Sequence, residues 1–131
     1  MAAESGGRRP TVLVVDDDVS SARAVAHALS DDYDVWVAQD GVEGLVAART
    51  IHPDLVITDV MMPKLDGFRM VRQMREGMSP SPAVIFLTAR DTPLDAIQGS
   101  LVGAVRYLAK PVSLDALADE VRAVLREGSA A

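Results

Sequence analysis

The feature that most restricts the fold of this chain is a fivefold alternation of short apolar runs with segments of helical spacing. Thr11 to Val15, Val35 to Ala38, Leu55 to Thr58, Ala83 to Leu87 and Arg106 to Ala109 are strand-sized and bounded by turn residues, which reads as buried strands. After the first of them, Ala22, Val25, Ala26 and Leu29 recur at i, i+3, i+4 and i+7, and Asp18 is placed to cap that helix. Asp40 with Glu43 three residues on resembles a capping box, opening a helix that runs to about Thr50 and ends at His52-Pro53. Asp66 can cap a third helix, with Met70, Val71 and Met74 facing inward and Arg69, Arg72 and Arg75 on a solvated outer face. Ser79-Pro80-Ser81-Pro82 is a turn. Thr92-Pro93-Leu94-Asp95 joins an N-cap, an N1 proline and an N3 acid, a strong helix start, and Gly103 is placed to cap its far end. Ser113 caps a last helix through Leu114, Leu117, Ala118, Val121 and Leu125 to an exit at Arg126-Glu127-Gly128. Strands alternating with helices in this way predict a parallel sheet covered on both faces with right-handed crossovers, a doubly wound α/β domain.

At 131 residues the chain has room for one such domain. Residues 1–10 are small and polar and read as a disordered tail, 11–127 as the folded domain, and 128–131 as a tail or the start of a linker. With no cysteine there is neither a disulfide framework nor a thiolate metal site, and two histidines cannot cage zinc. His27 and His52 read as surface residues and Trp36 as packing. A net charge of −6 argues against gripping a nucleic-acid backbone and for a cation as partner. The apolar runs are far shorter than a membrane span, and Met1 to Pro10 lacks the hydrophobic region of a signal peptide, so a cytoplasmic location is expected.

Polar residues terminate these strands at one edge of the sheet. Asp16 and Asp17 follow the first strand, Asp59 the third, Thr88 the fourth and Lys110 the fifth. In a parallel sheet the carboxyl ends point one way, so residues far apart in sequence converge at the crevice where the strand order reverses. Each has an ordinary reading alone: a capping cluster, a turn aspartate, a strand-end hydroxyl, a solvated lysine. Together they point to a site. Carboxylates about 4 Å apart repel by about 4 kcal/mol at an effective dielectric near 20. Lys110 offers one compensating charge, and a divalent ion with all-oxygen ligands and room for water, Mg²⁺, offers two.

Val-Val-Asp-Asp-Asp, Thr-Asp-Val-Met-Met-Pro-Lys-Leu-Asp-Gly, Leu-Thr-Ala-Arg and Tyr-Leu-Ala-Lys-Pro stand in this order from about Val12 to Arg126, and in them the chain resembles the receiver domain of two-component response regulators. The resemblance implies a flavodoxin-like, CheY-like (βα)5 sandwich with strand order 2-1-3-4-5. It implies that Asp59 is the phosphorylated residue and that Asp17, Asp59 and the backbone carbonyl of Met61 bind Mg²⁺, with Asp16 helping through water. Lys110 would pair with the carboxylate and then the phosphoryl group, and Thr88 would donate its hydroxyl to a phosphoryl oxygen. Tyr107 would swing inward as Thr88 moves, and Lys110-Pro111 would be a cis peptide. The implied partners are a sensor histidine kinase or histidine phosphotransfer protein and an output domain or downstream protein, with homodimerisation possible through the face of the fourth helix, fifth strand and fifth helix. Such a chain is a phosphoacceptor that assists its own phosphorylation and dephosphorylation rather than an enzyme. Val105-Arg106 and Val112 depart from the family pattern, which more often has acids before the switch aromatic and an aromatic after Lys-Pro.

The chemistry suits the residues independently. Phosphoryl transfer asks for in-line positioning and charge neutralisation, and no His or Glu is placed beside Asp59 to activate a hydrolytic water. Three rivals stand against this reading. A haloacid-dehalogenase-type phosphatase needs an acid two residues after the nucleophile, where this chain has Met61. A flavodoxin-like flavin carrier needs a small-residue phosphate loop where Asp16 to Asp18 stand. The third is a phosphorylation-independent interaction module of the same fold.

Overall fold

The computed structural model describes residues 8–130. The elements follow in strict alternation: β1 (Thr11–Val15), α1 (Val19–Leu29), β2 (Asp34–Ala38), α2 (Gly41–Ile51), β3 (Leu55–Thr58), α3 (Gly67–Gly77), β4 (Ala83–Thr88), α4 (Pro93–Leu101), β5 (Arg106–Ala109) and α5 (Leu114–Ala130). All strand pairs are parallel and the sheet order is β2-β1-β3-β4-β5, as expected for a doubly wound sheet. The order reverses at β1, which lies between β2 and β3, so the crevice opens beyond the carboxyl ends of β1 and β3.

Alternation of side chains along each strand divides the core into two layers. Leu13, Val15, Val56, Val84 and Phe86 pack with Met70, Val71 and Met74 of α3 and Leu45 and Ala48 of α2. Val12, Val14, Leu55, Ile57, Ile85 and Leu87 pack with Ala22, Val25 and Leu29 of α1 and Leu117, Val121 and Val124 of α5. The central strands β1 and β3 are buried along their whole length, and each fully buried Leu or Ile side chain contributes roughly 1.5–3 kcal/mol.

Local signals set the helix starts. The Asp18 carboxylate accepts from the N–H groups of Ser20 and Ser21, Asp66 from that of Arg69, and the Ser113 hydroxyl from that of Ala116. Thr92 and Asp95 form the reciprocal capping box. At α2 only half the expected box forms: Asp40 accepts from Glu43 N, but the Glu43 carboxylate takes the N–H of Gln39, one residue further back. His52 ends α2 in the left-handed region with φ 54°, and Gly103, just past the α4 cap Val102, has φ 97°.

Four expectations need correction. Arg75 does not stand on a solvated face: it is half-buried and donates to the carbonyls of Val102 and Gly103, both at 2.8 Å, satisfying acceptors that the end of α4 leaves open. Trp36 is 50% exposed because β2 is an edge strand, and its indole N–H donates to Asp34. Arg8 to Pro10 are tied to the fold, with Arg9 donating to Ser30 O and Pro10 O accepting from Asp34 N, while residues 1–7 of the expected tail lie outside the described residues. The last helix continues past Gly128 to Ala130.

Candidate functional site

The residues that end β1, β3 and β5 are held by backbone bonds that continue each ladder one step beyond the strand. Asp16 N donates to Ala38 O at 3.1 Å, Asp59 N to Val15 O at 3.0 Å and Lys110 N to Thr88 O at 2.8 Å. Their side chains therefore start from fixed positions along one edge. Lys110 precedes Pro111 in a cis peptide, as does Ser79 before Pro80.

From β5 the Lys110 ammonium reaches across to two carboxylates, Asp16 Oδ2 at 2.8 Å and Asp59 Oδ2 at 3.1 Å. All three side chains are largely shielded: 23% of Lys110, 8% of Asp16 and 12% of Asp59 is exposed. Burial works to lower the lysine pKa, but the hydrogen bonds the ammonium donates to both carboxylates and the charges of those carboxylates outweigh it, leaving Lys110 above the ordinary lysine value. The remaining oxygens are also engaged. Asp16 Oδ1 accepts from Asp18 N at 2.9 Å, and Asp59 Oδ1 from Val60 N at 2.6 Å and Met61 N at 3.2 Å.

The loop after Asp59 closes tightly. Gly67 N donates to Val60 O at 2.8 Å, and a Cβ on Gly67 would lie 2.2 Å from the Asp59 carbonyl oxygen, so only glycine lets α3 begin this close to the strand end. Thr58 Oγ1 donates to the same carbonyl at 2.8 Å.

Thr88, fully buried, accepts from Arg90 N through its hydroxyl oxygen at 3.2 Å. Among the described residues its own O–H has no acceptor, so that proton is available to donate. Arg90 lies over the Phe68 ring at 5.9 Å, pairs with Asp95 at 2.7 Å, and reaches the Met61 sulfur at 3.5 Å. The Tyr107 hydroxyl donates to the Arg90 carbonyl, and the Tyr107 ring packs on Phe86, itself edge-on to Phe68. Burial, reinforced by the Asp95 charge, raises the Tyr107 pKa, so the phenol keeps its proton to donate.

Lys110 thus contacts both Asp16 and Asp59, all three expected at the site, and Thr88 and Tyr107 are linked through the backbone of Arg90. Asp17 is exposed and forms no ion pair among the described residues, and Met61 is 59% exposed. No three acidic or histidine side chains among the described residues form a ready cage for a cation. The donors still fit Mg²⁺ in kind, since Asp16, Asp17, Asp59 and the Met61 carbonyl offer only oxygen and the three carboxylates outnumber the single Lys110 ammonium by two charges. Arg90 and Asp95 carry no signal in the sequence that assigns them to the site by itself. Asp95 reads from sequence as a helix cap, and the Arg of Leu-Thr-Ala-Arg is the one signal that points to Arg90.

Residues 12–122 match the response regulator receiver domain family. The chain belongs to that family. It is 43% identical over 119 residues to Response regulator MprA of Mycobacterium sp. (strain KMS), covering 90% of this chain and 51% of that protein. Against the Transcriptional regulatory protein TrcR of Mycobacterium tuberculosis (strain ATCC 25618 / H37Rv) the identity is 39% over 119 residues, covering 90% and 46%. The chain therefore spans about half the length of these relatives. Among solved structures, the Francisella response regulator 1452 receiver domain superposes with a TM-score of 0.85 at 34% identity, covering 92% of this chain and 99% of that one. Chemotaxis response regulator CheY4 of Vibrio cholerae gives 0.82 at 34% identity, covering 88% and 98%. Receiver domains are generally signalling phosphoacceptors of two-component systems and generally bind Mg²⁺. No described helix is long and apolar enough to cross a membrane.

Proposed function

We propose that Asp59 accepts a phosphoryl group from a sensor histidine kinase or a histidine phosphotransfer protein in a Mg²⁺-dependent, cytoplasmic reaction. The observation that carries this reading is the Lys110 ammonium held at 2.8 Å from Asp16 and 3.1 Å from Asp59, a cation fixed beside an ionised carboxylate at the switch point of the sheet. The Asp59 carboxylate forms the new P–O bond as the P–N bond of the phosphohistidine breaks, and the imidazole, protonated beforehand on its other ring nitrogen, keeps the P–N electron pair and leaves as the neutral ring. Lys110 and the N–H groups of Val60 and Met61 surround the acceptor, and Thr88 has a free proton for a phosphoryl oxygen. Asp17, Asp59 and the Met61 carbonyl are the residues that would hold Mg²⁺, with Asp16 acting through water; the bound ion supplies charge neutralisation at the phosphoryl oxygens.

The output of this reaction is a change of population between two states of the α4-β5-α5 face, read by an output domain or a separate protein. Thr88, Arg90 and Tyr107 form the connection from acceptor to face. The chain is then a switch that assists its own phosphorylation and dephosphorylation.

Incubation with Mg²⁺ and acetyl phosphate, followed by intact-mass measurement, tests the reading. One added phosphoryl group is expected, absent in Asp59→Asn and absent when EDTA replaces Mg²⁺. An unmodified parent, or a modified Asp59→Asn, would overturn the assignment.

A further inference from the structure

Glycine is a poor choice for the interior of a nine-residue helix, because it has the most backbone freedom to lose and no side chain to pack. Yet α4 carries Gly99 two residues before its end, at a buried position. The neighbours explain its presence. A Cβ there would lie 2.8 Å from Cδ2 of the Tyr107 ring, 3.3 Å from Cε2 of the same ring and 3.3 Å from Cδ2 of Phe86. Carbon atoms in contact normally stand about 3.5–4.0 Å apart, so Tyr107 occupies space that any other residue at position 99 would claim.

Of the two rings, Phe86 is the less able to give way. It is fully buried and held edge-on to Phe68 with ring centroids 5.1 Å apart. Tyr107 is partly exposed on the edge strand β5, packed on Phe86 at 5.8 Å on one side and tethered by its hydroxyl to the Arg90 carbonyl. A side chain at position 99 would therefore displace the tyrosine and spare the phenylalanine.

We propose that Gly99 is a positioning residue: the missing side chain on α4 is the seat that lets the Tyr107 ring lie inward against Phe86, and it sets how much of the population holds the ring there. The hydroxyl of the seated ring meets the Arg90 carbonyl, and Arg90 N meets Thr88, so the seat joins the α4-β5-α5 face to the strand-end residues. The atoms nearest a Cβ at position 99 belong to Tyr107 and Phe86, so Gly99 acts on the position of Tyr107 and not on the acceptor. The regulatory half of this inference rests on the phosphoacceptor reading; the seat itself does not.

The test uses 3-fluorotyrosine in a Tyr33→Phe background, which leaves Tyr107 as the only tyrosine reporter. With Gly99, the ¹⁹F resonance is expected away from the free amino-acid position, because the ring lies against Phe86. Gly99→Ala should move it towards the free position. An unchanged resonance would overturn the seat. Thermal unfolding gives an independent check. With Tyr107→Ala, adding Gly99→Ala should raise the midpoint by about 4 °C, the ordinary gain of alanine over glycine in a helix. In the chain that keeps Tyr107 the same change should give no rise. Equal rises in both backgrounds would show that the ring and the Cβ do not compete.

The regulatory half is read with Mg²⁺ and acetyl phosphate. Parent and Gly99→Ala should gain the phosphoryl group equally, while the ¹⁹F signal of the modified variant remains in its displaced position. If the modified variant regains the parent resonance, Gly99 does not set the position of the ring in the phosphorylated state. A parent that takes up no phosphoryl group would overturn the phosphoacceptor reading, leaving the resonance and unfolding comparisons to decide the seat separately.

Discussion

Replacing Lys110 by alanine removes the ammonium that Asp16 and Asp59 share. Both acceptor oxygens lie on one nitrogen, at 2.8 and 3.1 Å, so they are separated by no more than about 6 Å. Two unit charges at that distance repel by about 3 kcal/mol at an effective dielectric near 20. The carboxylates are 8% and 12% exposed, so water relieves little of this, and about 3 kcal/mol of lost stability is expected at neutral pH without divalent cation. Urea denaturation measures it. Titrating Mg²⁺ should restore more stability to Lys110→Ala than to the parent, because the ion has more uncompensated charge to neutralise. The sign with pH follows from the raised lysine pKa. The stabilisation is fully present below the ordinary lysine value of 10.5 and is lost as pH rises through the higher folded value, so the gap between parent and variant should close only above about pH 10.5. A gap below about 0.5 kcal/mol at neutral pH, the range of an ordinary surface substitution, would refute the bridge.

Other substitutions probe the supports of the site. Gly67→Ala places a Cβ 2.2 Å from the Asp59 carbonyl oxygen and should cost about 3 kcal/mol or more by urea denaturation, since the close approach is to backbone that cannot rotate aside. Arg75→Ala leaves the carbonyls of Val102 and Gly103 without their donors and should cost about 1–3 kcal/mol, with faster amide exchange at the end of α4. The Asp95 carboxyl is held below the usual carboxylate range, chiefly by the Thr92 hydroxyl with help from Arg90. Its contribution is therefore complete above the ordinary value of 3.8 and disappears as pH falls through the lowered folded value; Asp95→Asn should flatten that limb of the acid-denaturation curve, and an unchanged limb would count against the pairing.

What the sequence made legible is what local rules govern. Asp18, Asp66, Thr92 and Ser113 cap the helices they precede because capping needs only a side-chain oxygen a few residues from an open N–H. Buried strands announce themselves as apolar runs, and parallel topology then carries Asp16, Asp59, Thr88 and Lys110 to one edge without any contact having to be foreseen. The failures are residues whose partners are remote. Arg75 has the spacing of a solvated arginine, and only the position of α4 reveals the two carbonyls it satisfies, 27 and 28 positions away. Trp36 has the composition of a packing residue but lies on an edge strand. Arg90 and Gly99 are ordinary in sequence, and what they do depends on where Tyr107 lies.

The central claim, that Asp59 carries the phosphoryl group, is tested most directly by locating the modified residue. Treating the phosphorylated protein with borohydride converts an aspartyl phosphate to homoserine, and peptide sequencing by mass spectrometry then finds the converted position. Homoserine is expected at position 59 and at no other aspartate. Homoserine at position 16 or 17, or none in a protein whose intact mass shows the added group, would contradict it.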